Sequence, residues 1–369
     1  MLNDSMGLIL ADHKRVHLGE LTQLRALAAV PFGGRYRLID FILSNMVNDG
    51  ITYVGVLAMT KYKSLLDHIG TGASWDLDRM RQGLSILPPY INSSYFDRES
   101  GDLTGLYEFI LRGREKYVII AHANNVFNEK LEPMVREHER NGADMTIVYN
   151  RDGRRAGSPV YSLEFDAEQR LKGVMLDSPG EEISATSMGV LIISRERLIQ
   201  IVGDSISRDQ NEFSIEWLLR QYDKFDIRGY AYTGSCLRIN SLSSYFQSSM
   251  KLLDPQVRRD LFQKENRPIY TKVKNEAPAL YEEGNYVSHS LVCDGCKIYG
   301  SVSDSVLFRG VQIGKHANLQ DCILFQDSEI GEGADLRHVI LDKNTVIRPG
   351  VRLQGQADYP VVIKKGAIV

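Results

Sequence analysis

The 369-residue sequence carries 44 basic and 47 acidic side chains, a net charge of −3, with 43% hydrophobic and 25% charged residues. That length allows two domains, one with a substantial core. The near-neutral balance argues against nonspecific attachment to nucleic acid or to an acidic membrane surface, a local basic patch aside. Four cysteines, Cys236, Cys293, Cys296 and Cys322, are too few for a disulfide framework in so long a chain.

The opening apolar run, residues 6–11, has strand length and no basic lead-in, and is too short to span a bilayer. With no longer apolar segment elsewhere, a cytoplasmic protein is expected. Up to about residue 250 the pattern alternates buried-strand runs (7–11, 53–58, 117–121 and 145–149) with helical spacing, as in Leu38, Phe41, Ile42 and Met46. Alternating units of this kind predict an α/β domain with a mainly parallel sheet covered on both faces, and ligands at the carboxyl ends of its strands. Residues 251–280, with charge clusters and three prolines, read as a linker.

From Val302 onward the residues repeat every 17 positions. Val302, Leu319, Leu336 and Leu353 form one column; Ile313, Ile330 and Ile347 form another. The pairs Val306-Leu307, Ile323-Leu324 and Ile340-Leu341 make a third, and an earlier round fits after a two-residue shift. Three apolar columns, with β-branched residues among them and Gly, Asp and Asn between, predict a triangular parallel β-helix over residues 281–369, close to the hexapeptide-repeat type. Gly314 and Gly331, each following an isoleucine, read as turn residues.

Several specific strings carry a family resemblance. Val30-Pro31-Phe32-Gly33-Gly34-Arg35-Tyr36-Arg37-Leu38-Ile39-Asp40-Phe41 followed by Leu43-Ser44-Asn45, then Trp75-Asp76-Leu77-Asp78-Arg79, Ile86-Leu87-Pro88-Pro89-Tyr90 and Ser187-Met188-Gly189-Val190, resemble strings of glucose-1-phosphate adenylyltransferases. The resemblance covers essentially the whole chain. It implies a Rossmann-like nucleotidyltransferase domain of the GT-A-like kind over residues 1–250, followed by a left-handed β-helix. The family reaction joins ATP and glucose 1-phosphate into ADP-glucose and pyrophosphate, through backbone amides, cations and carboxylate-held Mg²⁺.

The sequence departs from the family pattern where that chemistry resides. The glycine-rich phosphate loop reads Ala11-Asp12-His13-Lys14-Arg15-Val16-His17-Leu18, with no glycine, a carboxylate at Asp12 facing the phosphate position and His17 in place of an arginine. The turn that supplies one Mg²⁺ aspartate reads His122-Ala123-Asn124-Asn125, so Asn124 offers no charge. Alignment on Ile239-Asn240-Ser241-Leu242 puts Ser235 at the second metal aspartate. Ser178 stands where a lysine would hold the sugar phosphate, and of the first loop's basic residues Arg25 remains.

The resemblance therefore implies a non-catalytic GlgD-type subunit, with no cofactor and no metal of its own, Mg²⁺ being held by an active GlgC-type partner. Such a chain is expected to join that partner in a heterotetramer, or to form a homo-oligomer alone, without nucleic acid or membrane. A phosphorylated effector is expected at a regulatory anion site made of Arg25, Arg35, Arg37, Arg348 and Arg352. The competing reading makes these ordinary structural ion pairs, such as Arg37 with Asp40. Two other functions stay open: a weakly active or altered sugar-phosphate nucleotidyltransferase, and a free-standing effector-binding protein. The lone Cys293–Cys296 pair lacks partners for zinc, Asp76 and Asp78 fit a helix cap or a pairing with Arg79, and His316 and His338 read as solvated turn residues.

Overall fold

The computed structural model describes residues 1–80, 82–87, 103–151, 161–176, 185–210 and 212–369. The apolar runs form strands Ser5–Leu10, Tyr53–Leu57, Tyr117–His122 and Met145–Asn150, and the helically spaced residues lie on helix Leu38–Asn48. They belong to a nine-stranded sheet whose main path runs Leu171–Leu176, Tyr161–Phe165, Thr186–Ser194, Tyr117–His122, Ser5–Leu10, Tyr53–Leu57 and Gly83–Leu87. Side chains alternate across it. Ile9, Val54, Val56, Ile119 and Ala121 enter one core, while Leu8, Leu10, Tyr53, Val118 and Ile120 enter the other.

The sheet is more mixed than the run pattern predicts. Four neighbouring strands, from Tyr117–His122 to Gly83–Leu87, are parallel. Thr186–Ser194 then inserts antiparallel between Tyr117–His122 and Met145–Asn150, and Ile227–Ala231 closes that edge parallel to Met145–Asn150. An inserted strand buried on both faces gives the same apolar run in either direction, so its polarity is invisible in composition.

The tail is a left-handed parallel β-helix of three five-stranded sheets. Its register pairs Val302 with Leu319, Leu319 with Leu336 and Leu336 with Leu353, reproducing the column read from sequence. Ile313, Ile330 and Ile347 stack likewise, and Val287 pairs with Val302 across a coil that is two residues shorter. Corners recur at the same interval in the left-handed region: Asp304, Asp321 and His338 (φ 48, 51 and 48°), and His316, Gly333 and Gly350 (φ 59, 67 and 72°). His316 and His338 are corner residues. Gly314 and Gly331 open such corners, their carbonyls accepting from Ala317 N and Ala334 N at 3.3 Å, and neither has positive φ. A Cβ on Gly314 would stand 2.8 Å from Glu332 N and from Ile330 O of the next coil, so glycine is required there for close approach of the backbones.

The two domains share a core. Phe32 and Tyr245 have ring centroids 6.2 Å apart, Tyr245 and Phe325 6.3 Å, and Phe325 and Phe308 of the preceding coil 4.9 Å. Tyr245 Oη donates to Pro31 O at 2.7 Å. Residues 251–280 are an integral part of this junction. They begin with helix Pro255–Phe262, capped by Asp254, and continue as an extended chain pinned to the α/β domain by buried Arg267, which pairs with Asp49. Among the described residues no helix is long and apolar enough to cross a membrane.

Candidate functional site

A cavity of about 530 Å³ opens where the parallel strands end, lined by Leu10, Leu57 and His122, by the loop after the first strand, and by Glu212, Glu216 and Trp217 from the far side. Its position follows from topology, since strand ends in α/β sheets diverge into a crevice. Asp12, His13, Arg15, His17 and Arg25 all line it.

The loop cannot cradle a polyphosphate. None of residues 12–18 has positive φ; the first to do so is Gly19, at 55°. Three of its amides are already used: Arg15 N donates to His13 Nδ1, Val16 N to His13 O and Leu18 N to Thr22 Oγ1, each at 3.2 Å. Asp12 lines the cleft and is anchored there by its carboxylate. Its Oδ2 accepts from the amides of Met59 (3.0 Å) and Thr60 (3.1 Å), tying two loops together. Burial pushes the Asp12 carboxyl above its usual range, against the pull of those amides. The cations are engaged too, with Lys14 Nζ 3.2 Å from Glu212 Oε1 and Lys61 Nζ donating to Thr22 O at 2.8 Å. Arg15 and His17 are exposed.

A smaller cavity of about 30 Å³ adjoins this one, lined by His13, His122, Asn124, Asn125, Glu216, Arg238 and Asn240 among others. Asn124 Nδ2 donates to Ile239 O (3.1 Å) and Asn240 Oδ1 (2.7 Å). Ser235 is not beside it: it is exposed, and its hydroxyl donates to Asp260 Oδ2 at 3.2 Å. Strand Leu237–Arg238 pairs with Asn125–Val126, matching Arg238 with Asn125, so Arg238 is the residue this segment brings to the Asn124 turn. The positions that the resemblance assigns to Mg²⁺, Asn124 and Ser235, thus present an amide and a hydroxyl that stand apart from each other. This set does not fit Mg²⁺, which depends on carboxylate oxygens. Ser178 lies outside the described residues.

A constellation the sequence did not reveal sits between the two cavities. Glu216 Oε1 lies 3.4 Å from His13 Nε2 and 3.1 Å from His122 Nε2, with the imidazole centroids 4.7 Å apart. Burial pushes the His13 pKa down, while burial of Glu216 is outweighed by the two imidazoles, which hold its carboxyl far below the usual range.

Of the five arginines expected to bind an anion, the structure gathers two. Arg25 is buried and donates through Nη2 to both carboxylate oxygens of Asp342 at 2.9 Å, joining the first loop to the β-helix. Arg37 donates to Ser64 O and to Ser64 Oγ (2.9 Å); its link to Asp40 is a backbone N–H to Oδ2 at 3.0 Å, not an ion pair. Asp40 Oδ1 instead meets His68 Nε2 at 2.6 Å. Lys343, absent from the sequence expectation, joins them. Burial, then Arg37 and Arg25, push its pKa down to about 7. Arg35 is exposed beside the Tyr36 ring, and Arg348 and Arg352 are exposed on the last coil.

Residues 6–160 match the family model described as nucleotidyl transferase, and residues 277–358 that described as GlmU-like, C-terminal hexapeptide. The glycogen biosynthesis protein GlgD of Bacillus subtilis (strain 168) is 33% identical over 369 residues, covering 99% of this chain and 97% of that protein. The protein of the same name from Geobacillus stearothermophilus is 37% identical over 372 residues, with 100% and 98% coverage. A glucose-1-phosphate adenylyltransferase of Bacillus subtilis (strain 168) is 31% identical over 330 residues, covering 86% of this chain and 85% of the other.

Proposed function

Because the chain belongs to the glucose-1-phosphate adenylyltransferase family, and within it stands with the GlgD proteins, we propose that it serves glycogen biosynthesis as a non-catalytic regulatory subunit. The observation that carries this reading is the state of the nucleotide cleft. The cleft persists, yet three of its loop amides are bonded internally, and the positions that the resemblance assigns to Mg²⁺ hold Asn124 and Ser235. The core that joins the α/β domain to the β-helix is intact, as a subunit retained for its contacts requires. One organism, Bacillus subtilis (strain 168), has a relative of each kind, which supports a pairing between a GlgD-type chain and a catalytic one. In this reading the active partner holds Mg²⁺ and does the chemistry in a mixed tetramer. A phosphorylated effector binds the Arg25–Arg37–Lys343 cluster, where an anion would relieve the mutual repulsion of one buried and two half-buried cations.

Mixing the chain with a catalytic subunit and weighing the product by light scattering tests the pairing. A mixed oligomer is expected at micromolar concentration. Separate elution would favour a free-standing effector-binding protein.

Repairing one position should not restore catalysis. In Asn124→Asp the new carboxylate would face Ile239 O and Asn240 Oδ1, two acceptors that now receive the Asn124 amide hydrogens. That exchange should cost about 1–3 kcal/mol of stability. ADP-glucose formation should stay at background, since the phosphate loop and Arg238 are unchanged and such groups act as a unit. Substantial activity from this single change would show a site merely detuned.

A further inference from the structure

We propose that His13, His122 and Glu216 form a binding site for a divalent transition-metal ion of the zinc class. The three come from separate elements: the loop after the first strand, the end of strand Tyr117–His122, and helix Ile215–Leu219. Yet their ligand atoms all lie within 4.8 Å of one another, and among the described residues no other group of His, Cys, Asp and Glu converges in this way. Ligands held at about 2.0–2.2 Å around a tetrahedral zinc ion stand roughly 3.3–3.5 Å apart. The observed separations, 3.4 Å from His13 Nε2 to Glu216 Oε1 and 3.1 Å from His122 Nε2 to the same oxygen, are close to those edges.

The chemistry of the set selects the ion. Two imidazoles and one carboxylate suit zinc and its neighbours, whereas an oxygen-only shell suits Mg²⁺. A metal uses the neutral imidazoles, whose Nε2 atoms both lie within 3.4 Å of Glu216 Oε1. Protonating both would instead set two cations side by side, their centroids 4.7 Å apart.

A second observation points to the same place. Asn124 Oδ1 and Asn125 Oδ1 are buried without a hydrogen-bond donor, although both Nδ2 groups are engaged. Both residues border the cavity of about 30 Å³ that the three ligands also line, enough for a water molecule. A water bound to the ion fills that space and gives its hydrogens to these oxygens, the outer-shell support metal sites usually have. Protein ligands on one side leave the large cavity on the other, so the ion pins the phosphate-loop equivalent to helix Ile215–Leu219 across the mouth of the cleft. This proposal does not rest on the regulatory role.

The test uses the full-length chain, stripped of metal and titrated with Zn²⁺ alone by calorimetry, and with Co²⁺ alone by visible absorption. One equivalent is expected, with a four-coordinate Co²⁺ spectrum lacking a thiolate charge-transfer band. His122→Ala and Glu216→Gln should each weaken binding at least about tenfold. His13→Ala, in a half-buried loop, gives the same reading if the strand variant fails to fold. The double variant Cys293→Ser with Cys296→Ser should bind as the parent does. Absence of stoichiometric binding at micromolar metal, a thiolate band, or full affinity in His13→Ala and Glu216→Gln would overturn the assignment.

Discussion

Given ATP, glucose 1-phosphate and Mg²⁺, the purified chain is expected to form ADP-glucose at least about 10⁴-fold more slowly than a working adenylyltransferase of its family. Transfer of an adenylyl group leaves the protein little covalent work, so rate comes from positioning and from neutralising charge. Losing one preorganised contact typically costs about 10²–10³ in rate. Here the amides of Arg15, Val16 and Leu18 are committed within their own loop. The positions that the resemblance assigns to Mg²⁺ hold Asn124 and Ser235, neither of them a carboxylate, and Arg238 sets a cation beside the Asn124 turn. These losses fall on different parts of the same transition state, so together they exceed any one. Product formation followed by chromatography, with pyrophosphate release as a second readout, checks this. Turnover within tenfold of a typical family member would contradict it.

Breaking the Arg25–Asp342 pair is expected to have the largest effect on stability. The side chains are 4% and 2% exposed, and Nη2 of Arg25 sits 2.9 Å from both carboxylate oxygens. Asp342→Ala would leave a buried guanidinium unpaired at the junction between the first loop and the β-helix, costing about 3–5 kcal/mol. The joint replacement Arg25→Met with Asp342→Leu removes both charges and should cost much less than the sum of the single changes. Urea midpoints of the single and joint variants give the comparison. A loss below 1 kcal/mol in Asp342→Ala would mean that water reaches the pair.

How much of this was legible in the sequence depended on how local each feature is. The β-helix columns could be read off because each coil repeats its neighbour, so the period in sequence is the stacking register. The strands at 5–10, 53–57, 117–122 and 145–150 announce themselves as apolar runs, but the antiparallel polarity of Thr186–Ser194 does not. His13, His122 and Glu216 are brought together by sheet order alone, and nothing near any of them in sequence marks it as one of a set. The two-residue strand Leu237–Arg238 offers few anchors in sequence, and only its pairing with Asn125–Val126 shows that Arg238, rather than Ser235, comes to the Asn124 turn. Lys343 was missed while Arg348 and Arg352 were expected, because a 17-residue period does not tell which face of a coil turns toward the α/β domain.

The central claim is that this chain works through a partner. The most direct test is the kinetics of a catalytic subunit measured with and without this chain, at concentrations where the two associate. The expected result is a change in apparent substrate affinity or effector response of about 5–150-fold, the usual range of allosteric coupling. That response should weaken in Lys343→Ala if the Arg25–Arg37–Lys343 cluster receives the effector. Unchanged kinetics of the catalytic subunit, in a sample that elutes as two separate species, would contradict the account.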